Sequence, residues 1–257
     1  AYVFDDVKHA SDLFALRAFG NIYTRIMNPT QSVLEARVAA LEGGTAALAV
    51  ASGHAAQMLV FHTMMQPGDE FVAARQLYGG SINQFNHSFK SFGWHVVWAD
   101  AEDISSIEKA VSPKTKAIYC ESIANPGGIV MDLPAIAAVA KKAGVPLIVD
   151  NTIATPYLIR PFEFGADIVV HSATKFLGGH GTVIAGVIVD GGKFPWSKHV
   201  DKFPGLTEPD PSYHGLPFWP ALGAGSYIIK ARVQMLRDLG SAISPFNAFQ
   251  ILQGMET

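Results

Sequence analysis

The chain has 257 residues, of which 49% are hydrophobic and 16% are charged, and its formal net charge is −3. This balance excludes a disordered chain and gives no general reason to expect binding to nucleic acid or to an anionic membrane. No apolar run has the length of a membrane-spanning helix, and a single cysteine, Cys120, excludes an intrachain disulfide and favours a reducing compartment such as the cytoplasm.

Helical and strand-like patterns alternate from about residue 30 to residue 190. Helices are predicted over 32–41, 53–65 and 133–143, and strands over 46–50, 70–73, 94–98, 117–120, 145–149, 168–170 and 183–189. Ser32 and Glu35 suit a capping box for the first helix, Gly43 suits its end, and Asp132 suits the N-cap of the third helix. Several strands are nearly continuous Val/Ile runs, which is typical of burial on both faces. We therefore predict an α/β fold, with a mostly parallel sheet sandwiched by helices and with ligands at the carboxyl ends of its strands.

Two of the predicted strands are followed by polar residues that suit a ligand site. Asp150 follows the fifth strand, where a carboxylate is either a ligand group or a structural cap. Ser172, Thr174 and Lys175 follow the sixth strand, and a pair of glycines comes next. A surface lysine is the simpler interpretation of Lys175, but the flanking hydroxyls and glycines favour a Schiff base with a carbonyl cofactor. Because the two strands are successive along the chain, we expect their ends to be neighbours.

Two further junctions between a strand and a helix suit the same ligand. Ser52, Gly53 and His54 follow the first strand and open the second helix, where free N–H groups and the positive end of the helix dipole favour a phosphate. Tyr78 lies at the junction after the second strand. This tyrosine either stacks on a flat ring or is a half-buried residue of a turn.

One ligand satisfies all of these groups. Asp150 suits a ring nitrogen, Lys175 suits an aldehyde, and Tyr78 suits the face of an aromatic ring. The hydroxyls after the sixth strand and the opening of the second helix suit a phosphate. Pyridoxal 5′-phosphate (PLP) carries all four features, so the sequence predicts a PLP site.

Six segments resemble the Cys/Met-metabolism family of PLP-dependent enzymes in their order and spacing. They are Tyr23-Thr24-Arg25-Ile26-Met27-Asn28-Pro29-Thr30, Ser52-Gly53-His54, Tyr78-Gly79-Gly80, Glu121-Ser122-Ile123-Ala124-Asn125-Pro126, Asp150-Asn151-Thr152 and Ser172-Ala173-Thr174-Lys175-Phe176. The resemblance covers nearly the whole chain, and the motifs around Lys175 and around Tyr23 and Arg25 are the most specific. Within the family, residues 52–57, 178–186 and 203–215 are most similar to the O-acetylhomoserine sulfhydrylases.

The resemblance implies the residues that carry the chemistry. Lys175 holds PLP as a Schiff base and moves protons, and Asp150 pairs with the ring nitrogen. Tyr78 stacks on the ring, assists proton transfer and contacts the substrate. Asn125 lies near a cofactor oxygen and the substrate. No metal ligand is expected.

The resemblance also implies how the phosphate is bound. The phosphate-binding residues within one chain are Ser52, Gly53, His54, Ser172 and Thr174. Tyr23 and Arg25 are expected to reach across a subunit interface to the phosphate of a neighbouring chain, which requires at least a homodimer, and homotetramers are usual in the family.

The family further implies a division of the chain into three parts. Residues 1–30 form the segment that reaches the neighbouring subunit, residues 31–225 form a large PLP-binding domain of fold type I, and residues 226–257 form a linker helix. We expect the C-terminal small domain of the family, which carries the arginine that binds the substrate carboxylate, to be missing. Arg232 and Arg237 are interpreted as structural or surface residues.

The expected activity is a γ-replacement in methionine biosynthesis, in which O-acetylhomoserine and sulfide or a thiol give homocysteine or methionine and acetate. A γ-lyase of methionine or cystathionine and a cystathionine γ-synthase share every motif above, so both stay open as alternatives. A non-catalytic α/β binding fragment is the alternative from another class.

Overall fold

A seven-stranded sheet organises the computed structural model, which describes residues 2–256. Its strands are β1 (Ala46–Val50), β2 (Glu70–Ala74), β3 (His95–Ala99), β4 (Thr115–Glu121), β5 (Leu147–Asp150), β6 (Ile168–His171) and β7 (Gly186–Asp190). Their order across the sheet is β1-β7-β6-β5-β4-β2-β3. Only β7 is antiparallel to its neighbours, so the prediction of a mostly parallel sheet is confirmed.

Helices surround this sheet, as predicted for an α/β fold. They are α1 (Val7–Phe14), α2 (Pro29–Glu42), α3 (Gly53–Met64), α4 (Gly79–Asn83), α5 (Phe89–Ser91), α6 (Ile104–Ala110), α7 (Leu133–Ala143), α8 (Thr155–Leu158), α9 (Pro204–Thr207), α10 (Phe218–Ala221), α11 (Ser226–Lys230), α12 (Arg237–Leu239) and α13 (Pro245–Gly254). One π-helical segment joins α4 to α5 and another joins α11 to α12. The division into residues 1–30, 31–225 and 226–257 stays a prediction.

The start of α2 differs from the sequence prediction. The helix begins at Pro29, and the side chain of Asn28 caps it by accepting a hydrogen bond from the N–H of Thr30. A proline in the first turn already has a helical φ, so Asn28-Pro29 is the stronger start signal. The capping box at Ser32 and Glu35 is therefore wrong. Glu35 instead accepts the N–H of Ala49 in β1, at 2.9 Å.

The buried glutamate of α2 also explains one of the two arginines near the end of the chain. Arg232 donates to the Glu35 carboxylate at 2.6 Å, to the carbonyl of Ile26 at 3.0 Å and to that of Ala47 at 3.2 Å. Arg232 is thus a structural residue, as expected, that ties the C-terminal helical region to α2 and β1.

Aromatic rings fill the space between α3 and the sheet. The ring of Phe61 in α3 lies 4.2 Å from Phe71 of β2 and 5.9 Å from Tyr119 of β4, measured between ring centroids. Phe85 and Phe89 pack against the same ring at 5.6 and 5.3 Å. Such pairs add about 1 kcal/mol each beyond the burial of their area. This aromatic cluster fixes Tyr119 just below the carboxyl end of β4.

Two further expectations concern the interior and membranes. Cys120 is buried, as predicted, and burial raises the pKa of its thiol to about 12, which favours the protonated form. Within residues 2–256, no helix combines the length and the apolar character needed to cross a membrane.

Two carboxylates lie at the sheet edge opposite the carboxyl ends of the parallel strands. Burial raises the pKa of Asp167 to about 6 and that of Asp190 to about 7. Because both values exceed the ordinary value of 3.8 expected after unfolding, ionisation destabilises the folded state. Their contribution to stability is therefore greatest below about pH 4 and is lost as the pH rises through 6 and 7.

Replacing Asp167 with asparagine tests this pH dependence. In Asp167→Asn the amide oxygen can still accept the N–H of Leu147, which now lies 2.9 Å from the carboxylate, while the charge is removed. We expect the variant to gain about 1 kcal/mol relative to the wild type when the pH is raised from 5 to 8. Urea unfolding at the two pH values measures this difference. The exposed Asp201→Asn variant is the control, and an equal pH response of both variants would contradict the assignment.

Candidate active site

A cavity of about 350 Å³ lies at the carboxyl ends of β4, β5 and β6, and the first turns of α3 and α4 also line it. Its walls contain nine of the residues predicted for the site. They are Ser52, Gly53, His54, Tyr78, Asn125, Asp150, Ser172, Thr174 and Lys175. The sequence-based rule that ligands bind at the strand ends therefore led to the right edge of the sheet.

Hydrogen bonds hold the Asp150 carboxylate at the floor of the cavity. One oxygen accepts the hydroxyl of Tyr119 at 3.2 Å, and the other accepts the N–H of Thr152 at 3.0 Å and the Thr152 hydroxyl. The Thr152 hydroxyl oxygen in turn accepts the N–H of Ser172 at 2.8 Å. Thr152 thus joins the end of β5 to the end of β6 and fixes the direction of the carboxylate.

Lys175 follows β6 on a tight turn at the other side of the same cavity. Its N–H donates to the carbonyl of Ser172 at 3.1 Å, and its carbonyl accepts the N–H of Gly179 at 2.8 Å. The strand before it is buried, but the lysine side chain itself is exposed in the single chain and has no hydrogen-bond or ion-pair partner within the described residues. The amine therefore does not need a partner to offset desolvation, and it is free to react with a ligand in the cavity.

The first turn of α3 provides a cradle for an anion. Ser52 caps the helix by accepting the N–H of Ala55 at 3.1 Å. The N–H groups of Gly53 and His54 have no partner in the described part of the chain. A Cβ on Gly53 would lie 2.7 Å from the Cβ of Ser172, so only glycine allows this close approach of α3 to the end of β6. Free helix N–H groups beside the Ser172 hydroxyl suit a phosphate.

Thr174 is the predicted phosphate-binding residue whose hydroxyl already has hydrogen-bond partners in its own chain. Its hydroxyl donates to the carbonyl of Ala185 at 3.1 Å, and its oxygen accepts the N–H of Ala185 at the same distance. A hydroxyl has one proton, so a bond from Thr174 to a phosphate requires the proton to leave the carbonyl of Ala185. Thr174 lines the cavity, and its role in binding stays a prediction.

Tyr78 forms an aromatic wall at the start of α4. Its side chain is 50% exposed, and its ring centroid lies 6.1 Å from that of His54. A Cβ on Gly80 would lie 2.3 Å from the Tyr78 ring, so any larger residue at position 80 would clash with the ring in this position. The half-exposed face of Tyr78 is available for stacking with a flat ligand.

The cavity also contains groups that were not singled out from the sequence. Glu121, the last residue of β4, accepts the N–H of Tyr78 at 2.7 Å and that of Asn125 at 2.8 Å. Burial, together with the charge of Asp150, raises the pKa of the Glu121 carboxyl to about 7. Gln57 of α3 lines the cavity too and donates to the hydroxyl of Tyr119 at 2.7 Å.

Glu121 was within reach of sequence reasoning. It follows a predicted strand in the same way as Asp150, and the two residues are paired in the register of β4 and β5. By contrast, nothing in the sequence indicates that Tyr119 donates to Asp150 or that Gln57 donates to Tyr119.

Tyr23 and Arg25 lie outside the cavity of their own chain. The Arg25 guanidinium donates to the carbonyl of Arg237 and lies 5.3 Å from the centroid of the Tyr23 ring. The expectation that these two residues act on a neighbouring chain is thus neither supported nor contradicted within one chain, and it stays a prediction.

The residues of the cavity fit PLP. Asp150 offers a carboxylate to a ring nitrogen, Lys175 an unpaired amine to an aldehyde, Tyr78 a ring face, and the first turn of α3 free N–H groups to a phosphate. The glycine at position 53 keeps this cradle open.

Comparisons with known proteins agree with this fit. Residues 1–257 match the model of the family of Cys/Met metabolism PLP-dependent enzymes. The chain is 55% identical to the O-acetyl-L-homoserine sulfhydrylase of Leptospira meyeri, covering 100% of this chain and 60% of that protein. It is 53% identical to O-acetyl-L-homoserine sulfhydrylase 1 of Thermus thermophilus, covering 100% of this chain and 61% of the relative. The chain thus spans about three fifths of the length of these relatives.

A solved structure from Campylobacter jejuni, of an O-acetylhomoserine (thiol)-lyase, has the same fold. It matches 100% of this chain and 63% of its own chain, with a TM-score of 0.97 and 38% sequence identity. That crystal structure contains N′-pyridoxyl-lysine-5′-monophosphate, a lysine joined to the cofactor. PLP as the cofactor and the fold type I architecture are therefore confirmed.

The hydroxyl of Thr152 gives a direct test of how the cavity floor is built. Thr152→Val keeps the shape of the side chain but removes the bond to Asp150 and leaves the N–H of Ser172 unpaired. We expect a loss of roughly 2 kcal/mol in the free energy of unfolding, measured in urea. Thr152→Ser keeps the hydroxyl and is the matched control, with an expected loss below about 1 kcal/mol. Equal losses in both variants would show that the hydroxyl does not connect the two strand ends.

Proposed function

Because this chain belongs to the family of Cys/Met metabolism PLP-dependent enzymes, we propose that the whole protein catalyses a γ-replacement on O-acetylhomoserine. Sulfide, or a thiol, takes the place of the acetyl ester at Cγ, and the products are homocysteine, or methionine, and acetate. One observation carries the proposal: a single cavity brings together the Asp150 carboxylate and the unpaired Lys175 amine, at the ends of adjacent parallel strands. The identities with two sulfhydrylases support the choice of substrate.

We assign the proton-moving role to Lys175. When bound, PLP withdraws electrons from the carbon atoms next to the amino group of its substrate, so that their protons become acidic. Among residues 2–256 the Lys175 amine has no competing partner, and its exposed side chain is free to take a proton from the α-carbon and to return one. An exposed amine on the wall of an open cavity suits a general base of this kind.

Asp150 is assigned the task of holding a proton on the ring nitrogen. Its carboxylate already accepts bonds from Tyr119 and Thr152, which fix its direction without neutralising it. Burial raises the pKa of the Tyr119 phenol well above its usual value, so Tyr119 stays a hydrogen-bond donor to Asp150. A fixed negative charge at the floor of the cavity favours the charged form of a ring nitrogen.

Tyr78 and Asn125 are proposed to contact the ring and the substrate from the two sides of the opening. Neither residue brings a positive charge, and the described residues that line the cavity include no arginine. The group that binds the substrate carboxylate is therefore proposed to lie outside this cavity wall, on the rest of the protein or on a partner subunit.

We propose that the protein acts as a homodimer or a larger assembly. Large apolar side chains are exposed in the single chain: Phe176 by 63% and Ile184 by 60%, which both line the cavity, and Tyr157 of α8 by 91%. Such a surface is typical of a subunit interface. A single, free cysteine, Cys120, also supports the proposal that the protein works in a reducing compartment such as the cytoplasm.

Lys175→Ala and Asp150→Asn separate binding from chemistry in the full-length protein. Lys175→Ala is expected to lose the yellow colour of the lysine-bound cofactor and at least 1,000-fold in kcat, on the order of the loss of a general base. Asp150→Asn is expected to keep PLP but to lose about 100-fold in kcat. Absorption spectra and the release of homocysteine from O-acetylhomoserine and sulfide measure both effects. The exposed Lys193→Ala is the control.

The products of the same assay distinguish the alternatives. Release of a 2-oxo acid and ammonia would assign the protein to the γ-lyases, and preference for cysteine as the sulfur donor would assign it to the cystathionine γ-synthases. A colourless wild type that takes up no PLP would refute the enzymatic proposal as a whole.

A mixture of two inactive variants tests whether Arg25 acts on a neighbouring chain. Arg25→Ala and Lys175→Ala are each expected to be nearly inactive. If Arg25 acts across the interface, a mixed dimer has one site with both residues intact. Co-refolding the variants should then restore roughly a quarter of the wild-type activity, as expected for random pairing in a symmetric dimer. No recovery in a mixture shown to contain mixed dimers would place Arg25 in the site of its own chain.

A further inference from the structure

One carboxylate connects the two sides of the cavity opening. Glu121 accepts the N–H of Tyr78 with one oxygen, at 2.7 Å, and the N–H of Asn125 with the other, at 2.8 Å. Tyr78 lies in the connection from β2 to α4, and Asn125 lies in the connection from β4 to α7. The two residues line the cavity from different loops, and they contact the same side chain.

Glu121 is itself held firmly by the sheet. It is the last residue of β4, is paired in register with Asp150 of β5 and is 5% exposed. A buried carboxylate between two neighbouring strands has little freedom to move, so the N–H groups that it binds are held at a fixed distance from Asp150.

Beside the bond to Glu121, the Asn125 loop is linked to the end of β5 by Ser122, whose N–H donates to the carbonyl of Asp150 at 2.9 Å and whose hydroxyl donates to Asn151 at 2.7 Å. The side chain of Asn125 makes no hydrogen bond within residues 2–256, and the Tyr78 side chain makes none either. The Tyr78 carbonyl accepts only the first N–H groups of α4, from Ser81 and Ile82. The bonds to Glu121 are therefore what holds the backbone N–H groups of Tyr78 and Asn125 themselves at the floor of the site.

A carboxylate at this position is costly. Asp150 is the neighbouring acid, and burial together with this second charge raises the pKa of Glu121 to about 7. The other ionisable side chains at the cavity are those of Tyr119, Tyr78, His54 and Lys175, of which only His54 and Lys175 carry positive charge when protonated. A glutamine would avoid the repulsion, but it has only one acceptor oxygen and would release one of the two N–H groups. The cost is explained if both bonds are needed.

We propose that Glu121 is a positioning residue that sets the separation between the Tyr78 wall and the Asn125 wall, and thereby how closely the cavity encloses the cofactor ring. The proposal rests on the function proposed above. It predicts that loss of one acceptor oxygen at position 121 makes the loop of Tyr78 or that of Asn125 more mobile. The affinity for PLP then falls, while Lys175 and Asp150 stay in place.

Glu121→Gln in the full-length protein tests the proposal, with Glu70→Gln as the matched control. Glu70 is a partly buried glutamate at the opposite edge of the sheet, where it accepts the hydroxyl of Ser112 at 2.6 Å. Hydrogen exchange of the apoprotein, followed by mass spectrometry, is expected to be at least tenfold faster in Glu121→Gln for peptides that contain Tyr78 or Asn125. The dissociation constant for PLP should rise roughly tenfold, as for one lost charge-assisted hydrogen bond, and the circular dichroism of the bound chromophore should fall by half or more.

Each outcome decides the matter. Unchanged exchange at both peptides overturns the proposal, and so does faster exchange with unchanged PLP affinity and dichroism, since Glu121 would then be only a structural link. If Glu121→Gln does not fold, Glu121→Asp is used in its place. Its side chain keeps the charge but is one methylene too short to reach both amides, so we expect the same changes in hydrogen exchange, PLP affinity and dichroism. If the wild type fails to bind PLP, the proposed function is refuted instead. Hydrogen exchange of the apoprotein then still shows whether Glu121 holds the two loops.

Discussion

The site depends on the parallel pairing of β5 with β6. This pairing places Asp150 beside the turn that carries Ser172 and Lys175, and the hydroxyl of Thr152 connects the two strand ends. A shift of the register by one residue would turn every side chain of a strand to its other face. Both strands are buried among apolar neighbours, so such a shift is strongly disfavoured, and the geometry of the ligand groups follows from the packing of the sheet.

The charges of the cavity are arranged by depth. Two carboxylates, Asp150 and Glu121, lie at the floor on adjacent strands, and the amine of Lys175 lies toward the exposed side. Both carboxylates accept hydrogen bonds from donors that are fixed by the sheet or by backbone, which stabilises negative charge at the floor although burial raises the pKa of Glu121 to about 7. A ligand with a positively charged ring and an electrophilic group at the outer end matches this arrangement.

Much of the fold could be predicted from the sequence because long apolar runs and glycine or proline stops are local signals. Such local signals predicted the boundaries of β1 and the C-terminal end of α2 at Gly43. Asp150 and Lys175 could be found because each follows a buried strand. Glu121 satisfied the same rule but was left aside, and the roles of Gln57 and Tyr119 depend on which strand lies beside which, a relation between distant parts of the chain that no local pattern contains.

The place of β7 in the sheet bears on how the protein assembles during synthesis. β7 lies between β6 and β1, so β1, although made first among the strands, has no neighbour in the sheet until the chain has been extended to Asp190. Closing so long a loop is entropically slow, and an unpaired apolar strand in the meantime is prone to aggregate. A Cβ on Gly186, the first residue of β7, would lie 2.0 Å from the carbonyl oxygen of Ser52. The late strand therefore forms one wall of the anion-binding turn, and only a glycine at its start leaves room for the carbonyl of Ser52.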